Sequence, residues 1–140
     1  MRIAVIDGQG GGIGKHITEK LRKTFGDKIE IIALATNAWA AASMLNAGAN
    51  EAASGENAIC YSIKSVDIIV GPLGIVIPNS MLGEITPAMA TAIASSEQEK
   101  FLLPICRDQI KLISSSDEPL PHLINDLISA IKAKMADSLN

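Results

Sequence analysis

The period of the hydrophobic positions changes repeatedly along the chain, and each change marks an element. "RIAVID" (2–7) is a short apolar run of strand type. Ile13, Ile17, Leu21 and Phe25 then recur every four residues, which predicts a helix over 13–25 with one buried stripe, ended by Gly26. "KIEIIALAT" (28–36) reads as a second strand. "NAWAAASMLNAG" (37–48) reads as an alanine-rich helix, with Asn37 as its N-cap and Gly48 just past its end. "ANEAAS" (49–54) is a short third strand, and Ile59, Ile63 and Val66 mark a brief helix over 56–65. "DIIVG" (67–71) is apolar almost throughout, which suits a central strand covered on both faces.

The second half is less regular. "PLGIVIPNSMLGEI" has no clear period; it extends the strand or forms a loop with a turn at Pro78-Asn79. "TPAMATAIASS" (86–96) starts as a helix, with Thr86 as N-cap and Pro87 in its first turn. "KFLLPIC" (100–106) is a fifth strand and "QIKLIS" (109–114) a sixth, at an edge. A polar loop (114–121) follows. Leu123, Ile124, Leu127, Ile128, Ile131 and Met135 define a closing amphipathic helix.

Strands that alternate with helices imply an α/β fold. The expectation is one Rossmann-like domain over residues 1–140, with a mainly parallel sheet of five or six strands and helices on both faces. Ligands of such sheets bind at the carboxyl ends of the strands, where strand order reverses. The strand assignments put residues 7–14, Thr36, Asn37, residues 54–57, Gly71, Pro72, Gly74 and Arg107 at that crest.

Composition narrows the partners. The net charge is −3 and only 3% of residues are aromatic, so there is neither a basic stripe nor a stacking surface for nucleic acid. The longest near-continuous apolar stretch, "IIVGPLGIVIP" (68–78), is broken by glycine and proline and is too short to span a membrane. No secretion signal is expected, because the first residues run straight into a strand. The two cysteines, Cys60 and Cys106, follow no metal spacing and read as ordinary thiols of a cytoplasmic protein. "LGIVIP" is an apolar run in excess of what the strands absorb, and it predicts a homodimer built partly from 73–85.

The candidate chemistry lies in "DGQGGGIGK" (7–15), between the first strand and first helix. Gly8, Gly10, Gly11, Gly12 and Gly14 would let the chain turn sharply and let an anion approach backbone N–H groups at a helix N-terminus. Gln9 and Ile13 share that loop. Asp7 would either brace it through its N–H groups or meet a hydroxyl or metal. Thr36 and Asn37 occupy the place that normally reads the ribose, and they select neither NAD nor NADP. Arg107 offers a two-pronged grip on a carboxylate or phosphate. Asn79, Ser80 and Glu84 are the concentrated polar set of 71–85, with Asn79 and Ser80 placed to close over a ligand.

The spacing Gly8-x-x-x-Gly12-x-Gly14, with "GIGKHI", resembles the glycine motif of the short-chain dehydrogenase/reductase family. That family's catalytic Y-x-x-x-K is not reproduced: "YSIK" puts Tyr61 and Lys64 one residue too close and before the fourth strand, so the reductase activity is not carried over. "GGGIGK" also resembles a deviant P-loop. There His16 replaces the metal-binding hydroxyl, and Asp67 lies at the wrong end of its strand for a Walker B acid. Almost the whole chain, through "VIDGQGGGIGK", "GENAI" and "GPLGIVIPNSMLGEITPAMA", resembles a small family of uncharacterised bacterial proteins, a domain of unknown function with a triple glycine. That resemblance implies a bacterial cytoplasmic origin and brings no activity. No catalytic set is recognisable. The leading expectation is a small-molecule nucleotide at the glycine loop, NAD or NADP first. The alternatives are a structural or interaction protein that keeps the fold without a ligand, and a P-loop-like nucleotide binder.

Overall fold

The computed structural model describes residues 1–106, 109–113 and 117–140. Five strands, β1 (Arg2–Asp7), β2 (Glu30–Ala35), β3 (Glu51–Ser54), β4 (Ile68–Pro72) and β5 (Glu99–Leu103), form one parallel sheet in the order β3-β2-β1-β4-β5. Helices α1 (Gly12–Phe25), α2 (Ala38–Asn46), α3 (Glu56–Ser62), α4 (Pro87–Ser95) and α5 (Leu120–Asp137) cover it.

Apolarity without alternation puts β1 and β4 at the centre, because each must satisfy a helix layer on both sides. Ile3 and Val5 of β1 pack with Ile17 and Leu21 of α1, Met44 of α2 and Ile128 of α5. Ala4 and Ile6 point the other way, to Ile59 of α3 and Met89 and Ile93 of α4. All four β1 residues are fully buried. Isoleucine is the commonest residue of the core, and its branched Cβ fits the pleated strand. The edge strands β3 and β5 are only partly covered.

Caps fall where the sequence puts them. Asn37 Oδ1 accepts from the Ala40 N–H at 2.9 Å, and Thr86 Oγ1 from the Met89 N–H at 3.1 Å. Gly26 ends α1 with φ 55°, and Gly48 follows α2 with φ 119°, both in the left-handed region that glycine enters without strain.

Three expectations change. The fifth strand stops at Leu103, and among the described residues there is no sixth strand: 109–113 is irregular, with Ile110, Leu112 and Ile113 exposed. The 71–85 segment takes the second of its two expected forms, a loop with a turn at Pro78-Asn79. After β4 it forms a 3-10 turn (Leu73–Val76) and then a series of tight turns. "IVIP" is not a free apolar surface, because Ile75 is fully buried, Val76 packs against the α3–α4 side of the core, and Ile85 closes the segment inside the same layer. No described helix is long and apolar enough to cross a membrane.

Candidate functional site

Strand order reverses between β1 and β4. The chain leaves β1 towards the α1 face and leaves β4 towards the α4 face, so a crevice opens between the two loops. The glycines of the first loop divide their work there. A Cβ on Gly8 would meet Thr36 Oγ1 at 2.5 Å and Met81 Sδ at 2.7 Å. Gly11 has φ 71° and lies against Ala40, 2.9 Å from its Cα. A Cβ on Gly14 would meet Asp7 Cβ at 2.8 Å. These three let β1, α1, α2 and the 73–85 segment close up on one another. Gly10 and Gly12 differ: both are exposed, and a Cβ on either would meet nothing within 4 Å.

Asp7 braces this loop from inside. Its side chain is buried; Oδ1 accepts from the Gly8 N–H at 2.8 Å and Oδ2 from the Gly14 N–H at 2.7 Å. Burial pushes its carboxyl above the usual aspartate range. The Gly14 and Gly8 N–H groups oppose that rise, and the charge of Glu84 adds to it.

Glu84 is the residue that sequence reasoning placed least well. It returns from the 73–85 segment to the end of β2, where Oε1 gathers three donors: Thr36 Oγ1 at 2.6 Å, Asn37 Nδ2 at 2.7 Å and the Gln9 N–H at 3.0 Å. Partial burial pushes the Glu84 carboxyl up, but the hydrogen bonds from Thr36, Asn37 and Gln9 outweigh it and hold the group below its ordinary value. Asn37 Nδ2 also donates to Gln9 O at 2.9 Å, tying the glycine loop to β2. The carboxylate is half open to water, so Glu84→Gln is expected to cost only about 1 kcal/mol. The sign follows from the lowered pKa. The loss should be present at neutral pH and should vanish as pH falls below the ordinary glutamate value of about 4.3 and through the lower folded value. Urea unfolding of both proteins across pH 3 to 7 checks this. A gap that widens in acid would contradict it.

The remaining candidates part company. Gly71 and Pro72 end β4 beside the loop, with Gly71 against the Ile6 carbonyl. Ser80 lines the crevice but is buried, and its hydroxyl donates to the Gly74 carbonyl, pinning the turn. Asn79 is exposed with φ 64°, its N–H on Ile85 O at 2.8 Å. Arg107 lies outside the described residues. Asp67 sits at the far end of β4, where Oδ2 accepts from the Arg2 N–H at 2.6 Å, so it cannot serve a phosphate site at the crest. His16 and Tyr61 are exposed, and Cys60 and Cys106 are free thiols.

The cleft at the crevice is small, about 70 Å³, and is lined by Asp7, Gln9, Ile13, Pro72, Ser80 and Cys106 among others. A roomier groove of about 490 Å³ runs between α1 and α5, lined by His16, Glu19, Lys23 and Ile124. It is an open seam of charged surface side chains away from the strand ends, and the convergent polar groups are at the crevice instead. Among the described residues no cluster of His, Cys, Asp or Glu could hold a metal ion.

Comparison with curated proteins gives no match. Among solved structures, the chain is similar to a dodecameric FMN-dependent Ubix-like decarboxylase from Escherichia coli O157:H7, at 13% identity and a TM-score of 0.48, over 95% of this chain and 75% of that one. The family model described as "Domain of unknown function (DUF3842)" matches residues 2–136, and the chain therefore belongs to that family.

Proposed function

We propose that the crest binds a nucleotide, with its phosphate over Gly10 and Gly12 and its ribose on Glu84. The observation that carries this reading is the position of the Glu84 carboxylate. Nucleotide-binding folds of this strand order use an acid at the end of β2 to accept the ribose hydroxyls. Here β2 ends in Thr36 and Asn37, and Glu84 supplies the acid in space. Oε1 is held by three donors, which leaves Oε2 to accept from a diol.

The loop supports the same orientation. Gly10 and Gly12 leave open space at the N-terminus of α1, where backbone N–H groups favour an anion. Asp7 faces inwards, onto the Gly8 and Gly14 N–H groups, and so keeps its charge off the phosphate path. The cleft of about 70 Å³ is too small for a whole dinucleotide. The ligand would therefore lie across the open crest, and its adenosine-phosphate half would make the contacts named here. A carboxylate at the ribose repels a 2′-phosphate, so NAD is favoured over NADP. The contacts named here all lie within one copy of the chain.

One observation favours a second reading, a fold kept for structure alone. Glu84 already satisfies Gln9, Thr36 and Asn37 without any ligand. Gly12→Val separates the two. Its side chain would enter empty space, so the protein should stay folded, while phosphate approach is blocked. NADH titrated by calorimetry should bind the wild type and bind Gly12→Val at least tenfold more weakly. Equal affinity in the folded variant would refute the loop as the phosphate site, and no binding to either protein would favour the structural reading.

A further inference from the structure

We propose that Trp39 and Leu82 form the two walls of a slot for a purine base, one aromatic and one aliphatic. The inference rests on the nucleotide reading above, since it places the base one step beyond the ribose at Glu84. Two separate observations carry it. Trp39, the sole tryptophan of the chain, stands in the first turn of α2 and is 76% exposed. The helix turns Ala40, Ala41 and Met44 into the core, so Trp39 takes no part in folding it. A large flat ring held in water beside a polar site is suited to stacking.

Leu82 is the second observation. It is 95% exposed and has φ 56°. Met81 before it has φ 58°, Asn79 φ 64°, and Gly83 after it φ 87°. Left-handed backbone is disfavoured for residues with a side chain, and such strain persists only where the surroundings hold it. Here they do: the Gly83 N–H donates to Asn79 O at 3.1 Å, the Glu84 N–H to Met81 O at 3.1 Å, and the Ser80 hydroxyl to Gly74 O. Met81 is directed inwards against Gly8, and the next residue is turned out. The turn thus seats Met81 on the core and presents the neighbouring leucine to solvent.

The two residues flank one contact. Trp39 is two residues past Asn37 and Leu82 two before Glu84, and Asn37 Nδ2 lies 2.7 Å from Glu84 Oε1. Two residues of chain reach at most about 7 Å, so both side chains start within reach of a base whose ribose is on Glu84. The pair offers flat and apolar faces and no hydrogen-bonding edge, which favours the larger area of a purine. The net charge of −3 makes the ligand a free nucleotide rather than a nucleic acid.

Because Trp39 is the only tryptophan, its emission reads the slot directly. Titration of the wild type with AMP should quench and shift that emission. Ribose 5-phosphate, which lacks the base, should bind about tenfold more weakly by calorimetry and leave the emission unchanged. Trp39→Ala should raise the calorimetric Kd for AMP about tenfold, the scale of aromatic–base stacking, and Trp39→Phe should restore most of the affinity. Leu82→Ala should give a smaller loss. If AMP binds wild type and Trp39→Ala equally, with no quench, the slot is overturned while the nucleotide reading stands. If neither AMP nor NADH binds the wild type, both fall. An emission that shifts with protein concentration alone, together with a dimer lost in Trp39→Ala, would assign the pair to a contact between copies and overturn the slot.

Discussion

Gly71→Ala is expected to remove at least about 3 kcal/mol of stability, at the upper end for overpacking a core. A Cβ at this position would stand 2.5 Å from the Ile6 carbonyl oxygen and 3.0 Å from Ile75 Cδ1. The isoleucine can rotate away. The carbonyl cannot, because it belongs to the central strand, which pairs on both sides with β2 and β4. To admit one methyl group, β4 must shift from β1 at the very crevice where the candidate site lies. A domain of this size has only about 5–15 kcal/mol in hand, so the urea midpoint should fall by a large fraction. Gly12→Ala is the internal control. Its Cβ would enter open space, and the midpoint should stay within about 0.5 kcal/mol of wild type. A Gly71→Ala midpoint equal to that of the control would show that the β1–β4 spacing is softer than its geometry implies.

The sheet was legible because its signals are local. Ile13, Ile17, Leu21 and Phe25 need only their own period to declare a helix, and Asn37 and Thr86 need only the N–H three residues on. The loop glycines could be counted but not assigned. Gly8, Gly11 and Gly14 are required by Thr36, Ala40 and Asp7 as they sit in space, and nothing in "GQGGGIG" separates them from Gly10 and Gly12. Glu84 was visible as one acid in an apolar segment, yet its partners are 75 residues away at Gln9 and 48 at Thr36. The end of β2 offers only Thr36 and Asn37, and the fold brings Glu84 to them from the other side of the crevice. Ser80 misled in the opposite direction. A hydroxyl among apolar neighbours suggests a ligand, but this one donates to the Gly74 carbonyl, beside the Ile77 N–H that closes the 3-10 turn on the same oxygen. Consecutive tight turns have no period, which is why Ile75 reads as part of a contact surface and is buried. "QIKLIS" has strand composition, yet its described part, 109–113, is irregular, and β4–β5 is the last ladder among the described residues.

Asp7 joins the legible part to the hidden part, and its replacement is the other change with a large expected effect. Asp7→Ala should destabilise by about 3 kcal/mol, because two buried N–H groups, on Gly8 and Gly14, lose their acceptor and each costs about 1–3 kcal/mol unpaired. Relief of the desolvated charge offsets part of that sum. Asp7→Asn should lose less, since one amide oxygen still accepts, while its NH2 group is left facing the other N–H. The two effects separate with pH. Burial raises the Asp7 pKa in the folded state, so the native protein holds the proton after the unfolded chain has released it. The wild type therefore gains its full benefit from Asp7 below about pH 3.9, and that benefit shrinks as pH rises through the folded value. Asparagine cannot titrate. The stability gap between wild type and Asp7→Asn should accordingly be widest in acid and narrow towards neutrality, opposite in sign to the Glu84→Gln gap. Chemical unfolding of the three proteins over the same pH series measures both. If the Asp7 gap instead grows with pH, its carboxylate is stabilised as an anion by the loop N–H groups, and the loop would then be braced by charge rather than in spite of it.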